Sequence, residues 1–334
     1  MKKILAIVLA LCTLALSSCT LFEKTEKGGS STVSSSTQSS TEGTGHQHEF
    51  TEEIVPPVCE NRGYTRHTCL CGYEFIDNFI NEEGTHTFER GICTVCGEFD
   101  YAEIVNLVST EAMKANVSVT TKYINKGFGF EVTVGLSHGS GVIIDYKNGE
   151  YYFLTNNHVV FSKEMSAESE GRRFFVTDYS GNEYQATLIE NSALPEYDLA
   201  LLKFSSDKQY TVLDVAEKDA ERGEVAVSLG QPQGQPNTVT MGEVINYGRV
   251  TITDSDVTEC NVSFDTLHHD AYINNGSSGG ALVDSKLQLI GVNYAGAVTA
   301  TTGAKSNSYA IPATKILEFF TKIGYDYKPF NQGK

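Results

Sequence analysis

Gly276-Ser277-Ser278-Gly279-Gly280-Ala281-Leu282 sets a serine among glycines ahead of an apolar pair, and the kind of serine it is decides the fold. Glycine neighbours let backbone N–H groups turn toward a developing oxyanion with no Cβ in the way. The same residues also fit G-x-S-x-G, the strand-to-helix elbow of α/β-hydrolases. That fold needs serine, then acid, then histidine along the chain. Here His46, His48, His67, His86, His138, His158, His268 and His269 all precede Ser278. The elbow is therefore excluded.

The sequence around this stretch reads as strands. Val117–Thr121, Phe130–Val134, Gly141–Asp145, Tyr151–Leu154 and Gln288–Val292 are short and rich in β-branched or aromatic residues, with turn residues such as Lys147-Asn148-Gly149 between them. Many short strands at such spacing predict an all-β barrel or sandwich and not alternating βαβ units. Helices are expected only at Tyr101–Ala115 and near Ala313–Ile323.

Two further motifs complete a chemical set. Leu154-Thr155-Asn156-Asn157-His158-Val159-Val160 places a histidine at a strand end, and Tyr197-Asp198-Leu199-Ala200-Leu201-Leu202 opens an apolar run with an acid. Acyl transfer needs a nucleophile, a base with a pKa near 7 and a group that orients the base, and histidine suits the middle role. The order His158, Asp198, Ser278 is that of chymotrypsin-like enzymes.

Taken together with Gly139-Ser140-Gly141-Val142-Ile143-Ile144, Leu229-Gly230-Gln231-Pro232, Thr240-Met241-Gly242, Asp270-Ala271-Tyr272-Ile273-Asn274 and Tyr309-Ala310-Ile311-Pro312, these motifs resemble the trypsin-like protease domain of the HtrA (DegP/DegS) family over about residues 105–325. The resemblance implies a chymotrypsin/trypsin-like double six-stranded β-barrel with the site between the barrels. It implies His158 as general base, Asp198 as its orienting acid and Ser278 as nucleophile, with the backbone N–H groups of Gly276 and Ser278 as oxyanion hole. Ser277 stands where the family usually has Asn, and Asn275 where it usually has Pro. The chain after the barrel and its last helix leaves no room for the family's common PDZ domain. Tyr272 falls at the base of the primary specificity pocket, with Asn293 and Tyr294 on its opposite wall, which implies cleavage after small or medium aliphatic residues. The implied substrates are unfolded or loosely structured extracytoplasmic polypeptides. His268 and His269 read as loop residues.

Upstream, five cysteines fall between Cys59 and Cys96. Cys69-Leu70-Cys71-Gly72 and Cys93-Thr94-Val95-Cys96-Gly97 each put two thiolates on a tight turn closed by glycine. His48-Glu49-Phe50 and His86-Thr87-Phe88 precede them as a faint repeat. Such a segment is too small to fold well without a staple. It resembles the zinc-ribbon-like repeats of bacterial surface proteins, which implies a structural Zn²⁺ on Cys69, Cys71, Cys93 and Cys96. Cys59, His48 and His86 are alternates, because Cys69-x-Cys71 is one residue short of C-x-x-C. Disulfides are the rival reading for an exported chain. No cofactor is expected for catalysis.

The N-terminus gives the address. Met1-Lys2-Lys3, the apolar Ile4–Leu16 and Leu16-Ser17-Ser18-Cys19 form an export signal. The signal resembles a lipoprotein lipobox, implying acylation of Cys19 and an anchor in the membrane. Eleven of the fifteen residues Ser30–Thr44 are Ser or Thr, a flexible spacer by composition. The expected organisation is thus signal peptide 1–18, lipidated Cys19 and linker 19–45, cysteine/histidine-rich module 46–99 and protease domain 100–330. With 25 Lys+Arg against 42 Asp+Glu, the 334-residue chain carries a net charge of −17, which disfavours a nucleic-acid partner. The competing function is a latent or inactive protease-fold binding protein that docks to an envelope partner through the cysteine module.

Overall fold

The computed structural model describes residues 47–80, 84–127, 129–231, 235, 237–251, 261–297 and 307–330. The export signal, Cys19, the spacer and Cys260 lie outside the described residues. The chain divides into two units. The described part of the smaller is residues 47–51 with His67–Glu74, and the larger comprises Glu52–Arg66 and everything described from Phe75 onward.

Strands β1 (Phe50–Val55), β2 (Gly63–Cys69) and β3 (Glu74–Ile80) form a three-stranded sheet in that order, and β4 (Phe88–Glu89) pairs with β5 (Ile92–Cys93) in a minimal hairpin. Helix α1 (Tyr101–Thr110) follows. Asp100 caps it by accepting the Glu103 N–H at 3.0 Å, and Ile104 and Val108 form its buried stripe. A 3-10 turn, Ala112–Ala115, ends the segment read from sequence as one helix.

Two closed six-stranded barrels come next. The first is built from β6 (Asn116–Gly127), β7 (Phe130–Lys147), β8 (Glu150–Thr155), β9 (Gly171–Thr177), β10 (Glu183–Leu194) and β11 (Leu199–Ser205), in the order β10-β11-β8-β7-β6-β9. The second uses β12 (Val225–Gly230), β13 (Thr238–Gly248), β14 (Thr266–His269), β15 (Ala281–Val283), β16 (Leu289–Ala297) and β17 (Asn307–Pro312), in the order β12-β13-β14-β17-β16-β15. The all-β double barrel read from the motifs is the observed fold. Closure leaves no open edge in either barrel, and one face of the first, with Val119, Ile143, Phe153 and Leu202, is buried, as are Val227, Leu267, Leu282 and Ile311 on the strands of the second.

Phe130–Val134 and Gly141–Asp145, read as separate strands, belong to one 18-residue strand, β7. The glycines between them continue the β6 ladder, Gly139 opposite Val119 and Gly141 opposite Val117, because small residues in a strand also serve where another backbone must come close. Between β8 and β9 lie two short helices, α2 (Asn157–Val160) and α3 (Lys163–Ala167). Helix α4 (Ala313–Lys322) buries Ile316, Phe319 and Phe320, and the Asp219 carboxylate anchors its first turn by accepting from the Thr314 N–H (2.9 Å) and hydroxyl (2.7 Å). Among the described residues no helix is long and apolar enough to cross a membrane.

Candidate active site and cysteine clusters

His158 rides on α2, a single helical turn in which the Asn157 carbonyl accepts the Phe161 N–H and the later carbonyls must be met from outside. The Thr121 hydroxyl donates to the Val159 carbonyl at 2.8 Å, Arg172 donates to that of Val160, and the Ser162 N–H just beyond donates to the buried Tyr123 hydroxyl at 2.7 Å. The turn is thereby held by β6 and β9. Asp198 occupies the turn before β11 with φ of +47°, a left-handed conformation that aspartate tolerates better than most residues. It is fully buried, and its carboxylate accepts twice from one residue: the His158 N–H at 3.0 Å and His158 Nδ1 at 2.7 Å. The Asn156 side chain donates to the Asp198 carbonyl at 3.0 Å and locks the two turns together. With Nδ1 donating to Asp198, Nε2 is left as the accepting nitrogen.

Ser278 comes from the other barrel, in the loop between β14 and β15, and is partly exposed. Its carbonyl accepts the Ser140 N–H of β7 at 2.8 Å, and a Cβ at Gly279 would stand 3.1 Å from the Asn156 N, so this loop abuts the turn that carries His158. The structure thus brings the Ser278 loop against the turn that opens α2. The Gly276–Ser277 peptide is gripped at both ends. Its carbonyl accepts the Ser140 hydroxyl at 2.7 Å, and its N–H donates to the Asn274 carbonyl at 2.9 Å. Among the described residues, the N–H groups of Gly276 and Ser278 meet no acceptor. They are two unsatisfied donors on one short loop.

Ser140 and Thr155 were not singled out from sequence. Ser140 is fully buried, its hydroxyl also accepts the Gln231 N–H at 3.1 Å, and its carbonyl accepts the Thr155 hydroxyl at 2.7 Å. The legible signal was the Gly139-Ser140-Gly141 triplet inside a strand, a mark of close backbone approach.

The residues read as a specificity pocket take different positions. Tyr272 is 45% exposed, its hydroxyl accepting from Asn274 Nδ2 at 2.7 Å. Asn293 is fully buried: its side chain donates to Ser228 Oγ at 2.8 Å, while its backbone brackets the Ser278 loop through Gly279 N–H (2.9 Å) and the Gly280 carbonyl (2.8 Å). Tyr294 is buried beside it. His268 and His269, expected in a loop, lie on β14. His269 is fully enclosed with neither ring nitrogen in a good hydrogen bond, and burial, with His268 adding to it, pushes its pKa down to about 3.

The cysteine-rich segment groups its donors in two sets, Cys59 with His86, Cys93 and Cys96, and His48 with Cys69 and Cys71. The four cysteines named from sequence as one ligand set are therefore shared between two clusters, because the path through β4 and β5 returns Cys93 and Cys96 to Cys59. None of the five is in a disulfide. In the larger set Cys59 Sγ lies 3.5 Å from Cys93 Sγ, and Cys96 Sγ 3.4 Å from His86 Nδ1. Backbone N–H groups of Cys96 and Val95 point at Cys93 and lower its pKa to about 5, the thiolate form a metal takes. Burial, then the neighbouring thiols, pushes Cys59 up to about 12. A divalent cation is the natural counter-charge for three sulfurs brought this close.

Residues 139–292 match the family model of the trypsin-like peptidase domain. Over 186 residues the chain is 34% identical to a probable periplasmic serine protease do/HhoA-like of Haemophilus influenzae, covering 55% of this chain and 36% of that protein. It is 35% identical over 182 residues to the periplasmic serine endoprotease DegP of Escherichia coli, covering 53% of this chain and 34% of that one. A solved variant of the HtrA-type protease AlgW with a tripeptide superimposes with a TM-score of 0.50 at 30% identity, covering 67% of this chain and 64% of that chain. The chain spans about a third of the length of these two curated relatives.

Proposed function

We propose that this chain, whose fold is the trypsin-type double β-barrel of HtrA/DegP-like serine proteases, is an extracytoplasmic serine endopeptidase. The observation that carries the reading is the doubly bonded His158–Asp198 pair, with the glycine-flanked Ser278 loop of the second barrel bonded to β7 and abutting the turn before α2. Asp198 fixes the imidazole tautomer, so Nε2 takes the proton as Ser278 Oγ attacks the scissile carbonyl. The tetrahedral oxyanion is received by the N–H groups of Gly276 and Ser278. His158 then returns the proton to the leaving amine, and water repeats the sequence on the acyl-enzyme. Tyr272 and the buried Tyr294 leave room for a small or medium aliphatic side chain, and unfolded polypeptide is the substrate class. Cys19 tethers the enzyme to the membrane, and Cys59, His86, Cys93 and Cys96 hold a structural Zn²⁺. Fluorophosphonate labelling of the full chain beside its Ser278→Ala variant tests the chemistry. Labelling of the wild type alone is expected, and an unlabelled, folded wild type would mean the site is not an activated serine.

A further inference from the structure

The smaller cluster has no place in a single-zinc module, yet its geometry asks for one. Cys69 Sγ and Cys71 Sγ both approach the same atom, His48 Nδ1, each at 3.3 Å. One imidazole nitrogen carries either one proton or one lone pair and cannot serve two sulfurs with good linear bonds. Three donors converging on a point are what a metal ion organises. A tetrahedral zinc with Zn–S of about 2.3 Å and Zn–N of about 2.0–2.1 Å sets N···S edges of about 3.5 Å and S···S edges of about 3.8 Å. The observed 3.3 Å edges here sit as close to that as the 3.4 and 3.5 Å edges of the larger cluster.

The two clusters also share local features. Gly72 and Gly97 follow the second cysteine of each turn with φ of +90° and +79°, and each returns its N–H to the carbonyl of the first cysteine, Cys69 at 2.9 Å and Cys93 at 3.0 Å. His48 stacks on Phe50 and His86 on Phe88, both with ring centroids 5.7 Å apart. His86 additionally places Nε2 3.2 Å from Glu98, the outer carboxylate that fixes which nitrogen faces the metal.

We propose that the cysteine-rich segment binds two divalent metal ions, the second held by His48, Cys69 and Cys71. This deepens the structural-zinc reading above. The ligands interleave along the chain: His48 and Cys69/Cys71 flank Cys59, while Cys59 and His86 flank Cys69/Cys71. Each ion therefore closes a loop that contains ligands of the other.

The test is metal stoichiometry on the full chain purified reduced and zinc-replete, measured by elemental analysis. Two equivalents are expected for the wild type, one for His48→Ala or Cys71→Ser, and one for His86→Ala. A titration with Co²⁺ gives a second reading: thiolate-to-cobalt absorption should rise in two components with intensities near three to two. One equivalent in the wild type, unaffected by His48→Ala, would overturn this proposal and leave the single zinc standing. None would overturn both. Two equivalents that survive Cys71→Ser and His48→Ala would place the second ion elsewhere and also overturn it. Should His48→Ala shed both ions, the wild-type cobalt spectrum decides: two components uphold the second site, and a single three-thiolate component refutes it.

Discussion

Truncating Ser140 to alanine removes one hydroxyl and leaves two half-buried groups unpaired, the Gly276 carbonyl and the Gln231 N–H. The first matters for chemistry. With its carbonyl released, the Gly276–Ser277 peptide keeps only the bond from its N–H to Asn274, so the loop can tilt the Gly276 N–H away, while the Ser278 N–H stays held through the Ser277 carbonyl, which accepts from Gly280. Leaving a buried carbonyl unsatisfied costs about 1–3 kcal/mol. If that cost is recovered by a loop conformation with the Gly276 N–H misdirected, the active geometry is depopulated by the same amount. At about 1.4 kcal/mol per tenfold, Ser140→Ala should lower kcat/KM by about 5- to 150-fold. The loss should fall mainly in kcat and in the fluorophosphonate labelling rate, since the Ser140 side chain is buried away from substrate. Ser140→Thr, which restores a hydroxyl, should recover part of it. A folded Ser140→Ala protein with kcat/KM within twofold of wild type would refute the clamp.

Four other outcomes are expected. Asp198→Asn should cut kcat by on the order of 10⁴-fold while the barrels stay folded by circular dichroism, because the wrong imidazole tautomer then faces Ser278; a loss under tenfold would argue against the triad. Gly279→Ala would push a Cβ to 2.2 Å from the Ser140 carbonyl at φ of +87°, costing about 1–2 kcal/mol for the backbone and about 1–3 kcal/mol for overpacking; a denaturant midpoint equal to wild type would contradict that geometry. His269 has a folded pKa pressed from 6.5 to about 3 by burial, so the unfolded chain takes up the proton first and native stability falls as pH drops through that window. His269→Leu should flatten this acid-side fall in Tm without lowering Tm at pH 7, and an unchanged profile would count against the buried neutral histidine. Tyr272→Gly should widen the accepted P1 side chains toward larger ones in a peptide-library assay; an identical profile would remove Tyr272 from the pocket.

The barrels and the His158–Asp198 pairing were legible because both are written locally. Period-two apolar runs specify strands, and a histidine or aspartate beside a strand end is carried to the same rim whenever those strands are neighbours, as β8 and β11 are. The Ser140 clamp was not legible, since one strand serine looks like another until a second barrel docks on it. His269 was misread for the related reason that β14 is only four residues long and bears three polar side chains. The donors of the cysteine module were all visible, but their grouping depends on which hairpin folds back on which. The one-residue shortfall in Cys69-Leu70-Cys71 concealed that this pair converges on His48 and not on Cys93 and Cys96.

The order in which the parts are made has its own consequence. His158 and Asp198 belong to a barrel complete by Ser205, whereas the loop bearing Ser278 is framed by a barrel whose β14 and β16 are joined only through β17, Asn307–Pro312. A chain made from its N-terminus thus pairs His158 with Asp198 early but cannot seat the Ser278 loop until β17 is available. Topology alone therefore delays the meeting of the three residues until well after the first barrel can close.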